Sequence, residues 1–264
     1  MKFSKFILIQ GNSLFPLLYP LLRSILNKNY LKGIKFFYRD MILYKKLDKV
    51  NESPFKLSLY NNNPYYFDRF DEAGGVLMHY FHQDIWASNK VYKSEVKRHY
   101  DIGSRLDGFI AHCLSFCKVV MLDIRLLPIK IPNLEFIQTD CMNMKNIKSG
   151  SINSISSLHA IEHFGLGRYG DPIDPWGYKK AIDEMKRVTK KGGNIYFSVP
   201  IGVQRVEFNA HRVFNPLYIV ELFEGCRLIE FSAIDDSNNF IKSSRLNKFL
   251  NKKFSCGLYH FKKN

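Results

Sequence analysis

Between residues 96 and 234 the chain contains several short segments with the residue pattern of β-strands, and some of them end in a polar residue. The clearest is KVVMLDI, whose nearly continuous apolar character is typical of a strand buried on both faces of a sheet. The predicted strands are VKRHYDIG (96–103), KVVMLDI (118–124), LEFIQTD (134–140), INSISSLH (152–159), NIYFSVP (194–200) and CRLIEFSAI (226–234). Helical patterns or loops separate them, which favours parallel pairing through right-handed crossovers. The predicted fold is an α/β, doubly wound, Rossmann-like sheet that is mostly parallel.

The net charge of +15 is concentrated at the two ends of the chain. Residues 1–60 hold eleven Lys and Arg against three acids, residues 241–264 hold seven and no acid, and the centre is balanced. The predicted parts are a basic, mostly helical N-terminal extension (1–70), a Rossmann-like domain (71–240) and a basic C-terminal tail (241–264), with the turn-rich NNNPYYFDRFDEAGG (61–75) near the first boundary. Such ends suit an anionic membrane face, nucleic acid or a phosphorylated substrate, and equally plain solvation.

Neither a signal peptide nor a membrane span is predicted. The most apolar stretch, residues 6–26, is interrupted by polar residues, two prolines and Arg23. It falls short of the ~18 uninterrupted apolar residues that a spanning helix needs. The five cysteines contain no C-x-x-C pair, which favours free thiols in a reducing compartment. We therefore predict a cytoplasmic protein whose basic ends allow peripheral contact with the inner membrane face.

The segment LHAIEHFGLGRYGDPIDPWG (158–177) contains two motifs that resemble known signatures. His159 and His163 fit H-x-x-E-H, but the glycines that follow leave too little helix to present both rings to one zinc ion. The glycines fit G-x-G-x-x-G, but they run into a proline-stiffened loop and not directly into a helix that receives a pyrophosphate. We predict neither a zinc protease nor a dinucleotide fingerprint, and we assign no metal ligand.

The ends of the predicted strands carry the residues that a nucleoside site needs. Ligands of such sheets bind at the carboxyl ends of the strands. Asp101 and Gly103 follow the first strand, where an acid is joined to a glycine that permits close backbone approach. Asp123 ends the second strand, where a carboxylate suits a ribose diol. The third strand ends in Asp140 and Cys141, placed to read an adenine edge, and the fourth ends at His159, where a methionine-like part of the ligand passes.

With these motifs the chain resembles class I S-adenosylmethionine-dependent methyltransferases over about residues 96–200. The matching motifs are DIG (101–103), LD (122–123), TD (139–140), SLHAIEH (157–163) and EMKRVTKKGGNIYFSVP (184–200). More narrowly, DIGSRLDGF, the segment 158–177 and FNAHRVF (208–214) resemble an uncharacterised bacterial branch, a domain of unknown function found with surface-polysaccharide genes. The resemblance implies S-adenosylmethionine as cofactor, S-adenosylhomocysteine as product, and a glycan or nucleotide-linked sugar as substrate.

The resemblance also implies individual roles at the cofactor site. Gly103 faces the amino-acid end of the cofactor, Asp123 holds the ribose, and Asp140 with the Cys141 amide holds the adenine. Arg105 stands where family members carry a second glycine, so it either crowds or binds the methionine carboxylate. The predicted cofactor-binding residues are Asp101, Gly103, Ser104, Arg105, Asp123, Asp140, Cys141 and His159.

In this superfamily the residues after the fourth strand lie over the transferred methyl group. O-methylation needs alignment and often a base for the hydroxyl proton. The predicted catalytic residues are Glu162, His163 and His211, and the predicted substrate-binding residues are Arg168, Asp171, Asp174 and Arg212. Asp171 and Asp174 are expected to hold sugar hydroxyls or a divalent cation, and Arg212 suits a phosphate or carboxylate. His82 and Asp84 are further candidates.

Two other functions stay open at this point. One is a catalytically silent binding subunit of a glycan-assembly complex, with its cofactor pocket blocked by Arg105. The other is a nucleic-acid methyltransferase, suggested by the basic ends. The balanced charge of residues 61–240 and the lack of an N-P-P-Y or paired-cysteine signature argue against nucleic acid. The sequence leaves metal dependence and oligomeric state open.

Overall fold

The computed structural model describes residues 28–51, 68–70 and 79–264, together with positions 54, 57, 65 and 66. The apolar stretch 6–26 and most of the turn-rich stretch 61–75 lie outside the described residues. The chain divides into two compact units, residues 1–76 and 77–264. No helix of the described part is long and apolar enough to cross a membrane.

The described part of the first unit is dominated by one long helix. This helix, α1, runs from Lys28 to Asn51. Gly33 lies against the backbone of Tyr66, so close that a Cβ at this position would be 2.1 Å from the Tyr66 carbonyl oxygen. The Tyr66 ring meets the edge of Tyr30 at 5.4 Å. The predicted helical N-terminal extension is confirmed for the residues of α1.

The second unit is built around an eight-stranded sheet flanked by helices. The strands are β1 (Arg98–Ile102), β2 (Lys118–Asp123), β3 (Leu134–Gln138), β4 (Ile152–Leu158), β5 (Thr189–Ile201), β6 (Arg205–Glu207), β7 (His211–Val213), β8 (Cys226–Ile234), β9 (Phe240–Ile241) and β10 (Ser255–Lys263). The helices are α2 (His79–Lys93), α3 (Ala111–Leu114), α4 (Gly177–Val188) and α5 (Pro216–Leu222). Strands β6 and β7 form a separate antiparallel hairpin.

The sheet has the order β3-β2-β1-β4-β5-β10-β8-β9. All pairs from β3 to β5 are parallel, and β10 is antiparallel to both β5 and β8. This confirms the predicted doubly wound, mostly parallel sheet. The strand order reverses between the parallel neighbours β1 and β4, so the loops after these two strands lead to opposite sides of the sheet and leave a crevice at their carboxyl ends.

We predicted that residues 241–264 form a basic tail, and this prediction is wrong. These residues contribute β10 to the interior of the sheet. Residues Ser255 to Tyr259 are buried, and each side of the strand is paired. The apolar run SCGLYHF forms this strand although pairs of lysines flank it. One of these lysines is structural, because the Lys263 ammonium donates to the carbonyl oxygens of Lys186 and Thr189 at 2.5 and 2.9 Å. Strand 226–234 is therefore not the last of the fold.

Two apolar clusters hold the sheet in place. The apolar face of α4 packs into the larger cluster through Ala181, Ile182, Met185 and Val188. The other cluster includes Trp86, Ala87 and Val91 of α2. All five cysteines are free thiols, as predicted. Burial of apolar surface at ~25 cal/mol per Å² makes the framework rigid enough to fix the loops at its carboxyl edge.

Candidate active site

Buried polar side chains fix the conformation of the loop that follows β1. Asp101 is completely buried, and its carboxylate accepts from the Ser104 amide at 3.0 Å, from the Ser104 hydroxyl at 2.9 Å and from the Ser156 hydroxyl. Burial raises the pKa of Asp101 to about 6, although these hydrogen bonds oppose the rise. Asp101 thus fixes the conformation of this loop through its hydrogen bonds to the Ser104 amide and hydroxyl.

The buried network continues from Ser156 to His99. The His99 ring lies between the hydroxyls of Ser154 at 2.7 Å from Nδ1 and Ser156 at 2.8 Å from Nε2. Since the Ser156 proton goes to Asp101, Ser156 must accept from the Nε2–H of His99, and the Ser154 hydroxyl donates to Nδ1. Burial lowers the pKa of His99 to about 3. The histidine is therefore neutral and joins β1 to β4 below the site.

Gly103 turns the chain at the top of β1. Its φ is +71°, and its amide donates to the Leu122 carbonyl at 3.0 Å. A Cβ here would lie 3.1 Å from the Ala160 Cβ, so glycine keeps the gap between the β1 and β4 loops open. Arg105 does not fill this gap, because its side chain is 71% exposed and pairs with Asp107 at 2.6 Å.

A first cavity, with an empty volume of about 530 Å³, opens at the carboxyl ends of β1, β2 and β4. The cavity brings together the predicted residues Gly103, Asp123, Asp140, Cys141, His159, His163 and Asp171. Asp140 accepts from the Met142 amide at 2.8 Å, which folds the β3 loop into a turn, and Cys141 is buried beside it. Ser104 and Arg105 line an adjoining shallow cleft that also contains Gly103 and Asp123.

Arg125 engages the acid at the end of β2. Asp123 is 8% exposed. Its Oδ1 accepts from the Arg125 amide at 2.8 Å and from Arg125 Nε at 3.0 Å, and its Oδ2 accepts from Nη2 at 2.7 Å. The same guanidinium lies 4.4 Å from the centre of the Tyr169 ring. Neither Arg125 nor Tyr169 was among the predicted site residues, although Arg125 stands only two positions after the strand-end acid.

The glycine motif after β4 wraps around a carboxylate of its own chain. Gly165 and Gly167 have φ values of +77° and +70°. Their amides donate to Asp171 Oδ2 at 2.7 and 3.2 Å, and the Tyr169 amide donates to Asp171 Oδ1 at 3.2 Å. Backbone amides of such turns form anion-binding nests. Here Asp171 fills the nest, which explains the G-x-G-x-x-G spacing without a bound pyrophosphate.

The H-x-x-E-H residues converge on a buried carboxylate. Ile161 to His163 form a single 3-10 turn, and Glu162 is 1% exposed. Glu162 Oε1 lies 2.8 Å from His159 Nδ1 and 3.8 Å from His163 Nε2. Burial tends to raise the pKa of Glu162, but the neighbouring histidines outweigh it and the pKa is lowered. Both rings therefore share one carboxylate.

The hydrogen bonds of His163 fix its tautomer. Its Nδ1 lies 2.6 Å from the carbonyl oxygen of Ala210. A carbonyl oxygen can only accept, so Nδ1 carries the hydrogen and Nε2 presents its lone pair. Arg168 donates to the same carbonyl at 2.8 Å. Burial is the main cause that lowers the pKa of His163. A neutral imidazole with a free Nε2 is the state that a general base requires.

A second cavity adjoins the first. The two share His159, His163 and Tyr169. Its other lining residues are His79, Tyr80, Glu162, Arg168, Pro200, His211, Asp236, Asn238, Lys253 and Phe254. Three buried atoms of this lining, His159 Nε2, Glu162 Oε2 and His211 Nε2, have no hydrogen-bond partner among the described residues, although His211 Nε2 lies 3.5 Å from the Glu207 carboxylate. Buried polar atoms are normally paired, so His159 Nε2 and Glu162 Oε2 mark a place built to receive a polar ligand.

Two predicted substrate residues have structural partners instead. Arg212 is 8% exposed, and its guanidinium donates to the carbonyl oxygens of Phe164 at 2.6 Å and Glu162 at 3.3 Å. Asp174 accepts from the Trp176 amide at 2.9 Å at the start of α4 and pairs with Lys180 at 2.5 Å. Neither belongs to the described residues that line the two cavities. His82 and Asp84 are likewise absent from both linings.

Comparison with known proteins supports the fold. Residues 131–258, slightly less than half of the chain, match the model of a family described as "Caenorhabditis protein of unknown function, DUF268". No curated protein matches the chain. A 1,6-didemethyltoxoflavin N1-methyltransferase from Burkholderia thailandensis, solved with S-adenosylhomocysteine, is similar in structure, with a TM-score of 0.52 and 13% identity over 70% of this chain and 79% of that one. The fold is that of the class I methyltransferases.

A second similar structure shows that similarity of fold does not determine the reaction. The [4+2]-cyclase SpnF has a TM-score of 0.50 and 10% identity over 68% of this chain and 81% of its own. A protein of similar fold is thus named for a cyclisation. The fold alone does not determine the reaction, which has to be argued from the residues of the site.

Proposed function

We propose that the chain is an S-adenosylmethionine-dependent O-methyltransferase that acts on a hydroxyl group of a glycan or of its nucleotide-linked precursor. One observation carries the proposal: the cavity lined by the strand-end acids and the cavity lined by unpaired polar atoms meet at His159, His163 and Tyr169. A two-substrate transfer needs this arrangement, because the two reacting groups must approach in line and without water between them.

The first cavity fits the cofactor. Gly103 leaves open the space that a side chain would narrow, and Asp123 and Asp140 provide carboxylates at the ends of β2 and β3. In this assignment Asp123 holds the ribose, and the Asp140 turn with the Cys141 amide holds the adenine. S-adenosylmethionine supplies an electrophilic methyl group. The residues of this chain bind it, orient it and exclude water.

His163 is the proposed base. Its Nε2 carries a free lone pair, since Nδ1–H is committed to the Ala210 carbonyl. It takes the proton of the attacking hydroxyl, and Glu162 Oε1, 3.8 Å from Nε2, stabilises the imidazolium that results. General-base assistance of this kind contributes ~100-fold or more to rate.

The second cavity suits a sugar that carries a negative charge. Tyr80 and Phe254 offer flat apolar surfaces, and Asp236 and Asn238 belong to the same lining. Its cationic residues, Arg168 and Lys253, suit a phosphate or carboxylate. The glycan assignment rests on this chemistry and on the sequence resemblance to a branch found with surface-polysaccharide genes.

Two measurements test the proposal. Calorimetry with S-adenosylhomocysteine measures binding to the first cavity, with Asp123→Ala expected to weaken it by ~2 kcal/mol or more because a ribose diol loses a buried carboxylate. Transfer of labelled methyl to a panel of nucleotide sugars and glycan fractions measures activity, with His163→Ala as the control for dependence on this site. Binding that is unchanged in Asp123→Ala contradicts the ribose assignment.

The silent binding subunit remains the second candidate, and the structure changes the reason for it. The obstacle is not Arg105, which pairs with Asp107 in solvent, but Arg125 on Asp123. If Arg125 keeps the nucleoside out, neither S-adenosylmethionine nor S-adenosylhomocysteine binds the intact chain. Calorimetry therefore separates the two functions before any acceptor is known.

A further inference from the structure

Three potential metal ligands from distant parts of the chain meet beside the second cavity. His79 is the first residue of α2, His159 follows β4, and Cys256 lies in β10. One ligand atom of each residue lies within 4.8 Å of the corresponding atoms of the other two. Cys256 is completely buried and the other two side chains are nearly so.

The orientation of His159 is set by its other ring nitrogen. Nδ1 lies 2.8 Å from the Glu162 carboxylate, so it carries a hydrogen, and Nε2 is the ring nitrogen that remains to bind an ion. The buried Nε2 has no hydrogen-bond partner among the described residues. A carboxylate that holds the distal nitrogen of a histidine is the common support of a metal-binding imidazole. The Glu162–His159 pair has the same arrangement.

We propose that His79, His159 and Cys256 bind one zinc-class divalent cation and leave its fourth coordination position open to the second cavity. Imidazole and thiolate ligands select zinc and related ions over magnesium and calcium, which prefer oxygen. Three protein ligands with one open position are typical of zinc sites that bind a small ligand. His79 and His159 both line the second cavity, so a ligand in that cavity would have access to the open position.

The ligand atoms need a small movement to close around an ion. A tetrahedral ion with bonds of about 2.0–2.3 Å separates its ligand atoms by roughly 3.3–3.6 Å, against separations of up to 4.8 Å here. The His79 and His159 rings are already nearly parallel, with their centres 5.6 Å apart. Rotation about side-chain bonds provides the remaining approach, and the backbone of β10 stays in place.

The test uses the full chain and the metal alone, so its outcome is independent of methyl transfer. The protein is stripped with a chelator, given one equivalent of Zn²⁺ and dialysed, and the retained zinc is measured by elemental analysis. The expected result is one zinc per chain. Replacement by Co²⁺ is expected to give near-ultraviolet thiolate-to-cobalt absorption, because Cys256 is one of the ligands.

Matched variants decide the assignment. Cys256→Ser and His79→Ala are each expected to reduce the zinc retained at least tenfold, and Cys256→Ser to abolish the cobalt–thiolate band. Cys226→Ser and His82→Ala, which remove a thiol and a histidine outside the cluster, are expected to retain the metal. Circular dichroism checks the fold of each variant, and if Cys256→Ser does not fold, His79→Ala and the cobalt band of the unmodified chain decide. No zinc retained by the unmodified chain, or equal zinc in folded His79→Ala, overturns the proposal.

Discussion

The guanidinium of Arg125 donates to both carboxylate oxygens of Asp123, while its face lies over the Tyr169 ring. The Arg125 amide occupies a further acceptor position on Oδ1. A carboxylate offers about four lone-pair positions, so one remains for a ligand. A ribose diol needs two. The Arg125 side chain must therefore leave Asp123, at least in part, when a nucleoside binds.

The first prediction follows from this competition. Arg125→Ala is expected to bind S-adenosylhomocysteine up to about fivefold more tightly, since a half-exposed ion pair is worth up to ~1 kcal/mol and no longer has to be broken. Calorimetry measures the change. Arg105→Ala, which removes an arginine that pairs with Asp107 in solvent, is the control and should leave affinity unaltered. Weaker binding in Arg125→Ala means instead that Arg125 contacts the ligand.

His163→Ala tests the base. With an acceptor in hand, its turnover should fall ~100-fold while affinity for S-adenosylhomocysteine changes less than about threefold. His82→Ala, a histidine outside both cavities, serves as the control. Because burial lowers the pKa of His163, the acid limb of the activity profile should have its midpoint below pH 6.5, and activity should rise with pH through it. Loss of cofactor affinity in a folded His163→Ala protein assigns the residue to the cofactor site.

His99 should make stability depend on pH. The pKa of the His99 ring is 6.5 in the unfolded chain and about 3 in the folded chain, where the ring is buried. Between these two values His99 is protonated in the unfolded chain and neutral in the folded chain. The contribution of neutral His99 to the free energy of unfolding is fully present above pH 6.5 and is lost as the pH falls towards 3. Between pH 7 and pH 4 the free energy of unfolding should drop by about 3 kcal/mol more in the unmodified chain than in His99→Gln. Denaturant titrations at both pH values measure it, and parallel losses in the two proteins refute the assignment.

Alanine substitutions at Gly165 and Gly170 separate two costs, the backbone strain of a positive φ and the steric collision of an added Cβ. Both have positive φ, +77° and +82°. A Cβ at Gly165 would lie 1.9 Å from the Asp174 carbonyl oxygen, whereas a Cβ at Gly170 meets no atom within 4 Å. Gly170→Ala should cost ~1–2 kcal/mol of stability from backbone strain alone. Gly165→Ala should cost clearly more, or displace the loop and weaken activity, and equal costs in thermal melts would falsify the collision.

The sequence was most informative where chemistry is tied to the ends of strands. Asp123, Asp140 and His159 could be placed in one cavity because carboxyl ends of parallel strands share one edge of the sheet. Asp174 and Arg212 could not be judged in this way. Their neighbours in sequence belong to the site, but their side chains turn towards the start of α4 and towards backbone carbonyls, and sequence position does not specify that direction.

The parts that were missed come from long-range pairing. Cys256 and Phe254 were read as members of a charged tail, because four lysines surround a short apolar run that does contain a strand. The association of His79 with them depends on three segments that meet only in the folded sheet. Local sequence patterns do not predict contacts between such distant segments. Of the residues that line the second cavity, the sequence therefore identified only His159, Glu162, His163, Arg168 and His211.

The position of β10 also determines how the sheet can fail. In the described sheet, β8 and β9 join the parallel strands through β10, which bonds to β5 on one side and β8 on the other. If β10 detaches, two strands leave with it and β5 presents a bare row of amides and carbonyls. An exposed edge of this kind is a template for pairing with another chain. Local opening at β10 is therefore the expected route by which this protein aggregates.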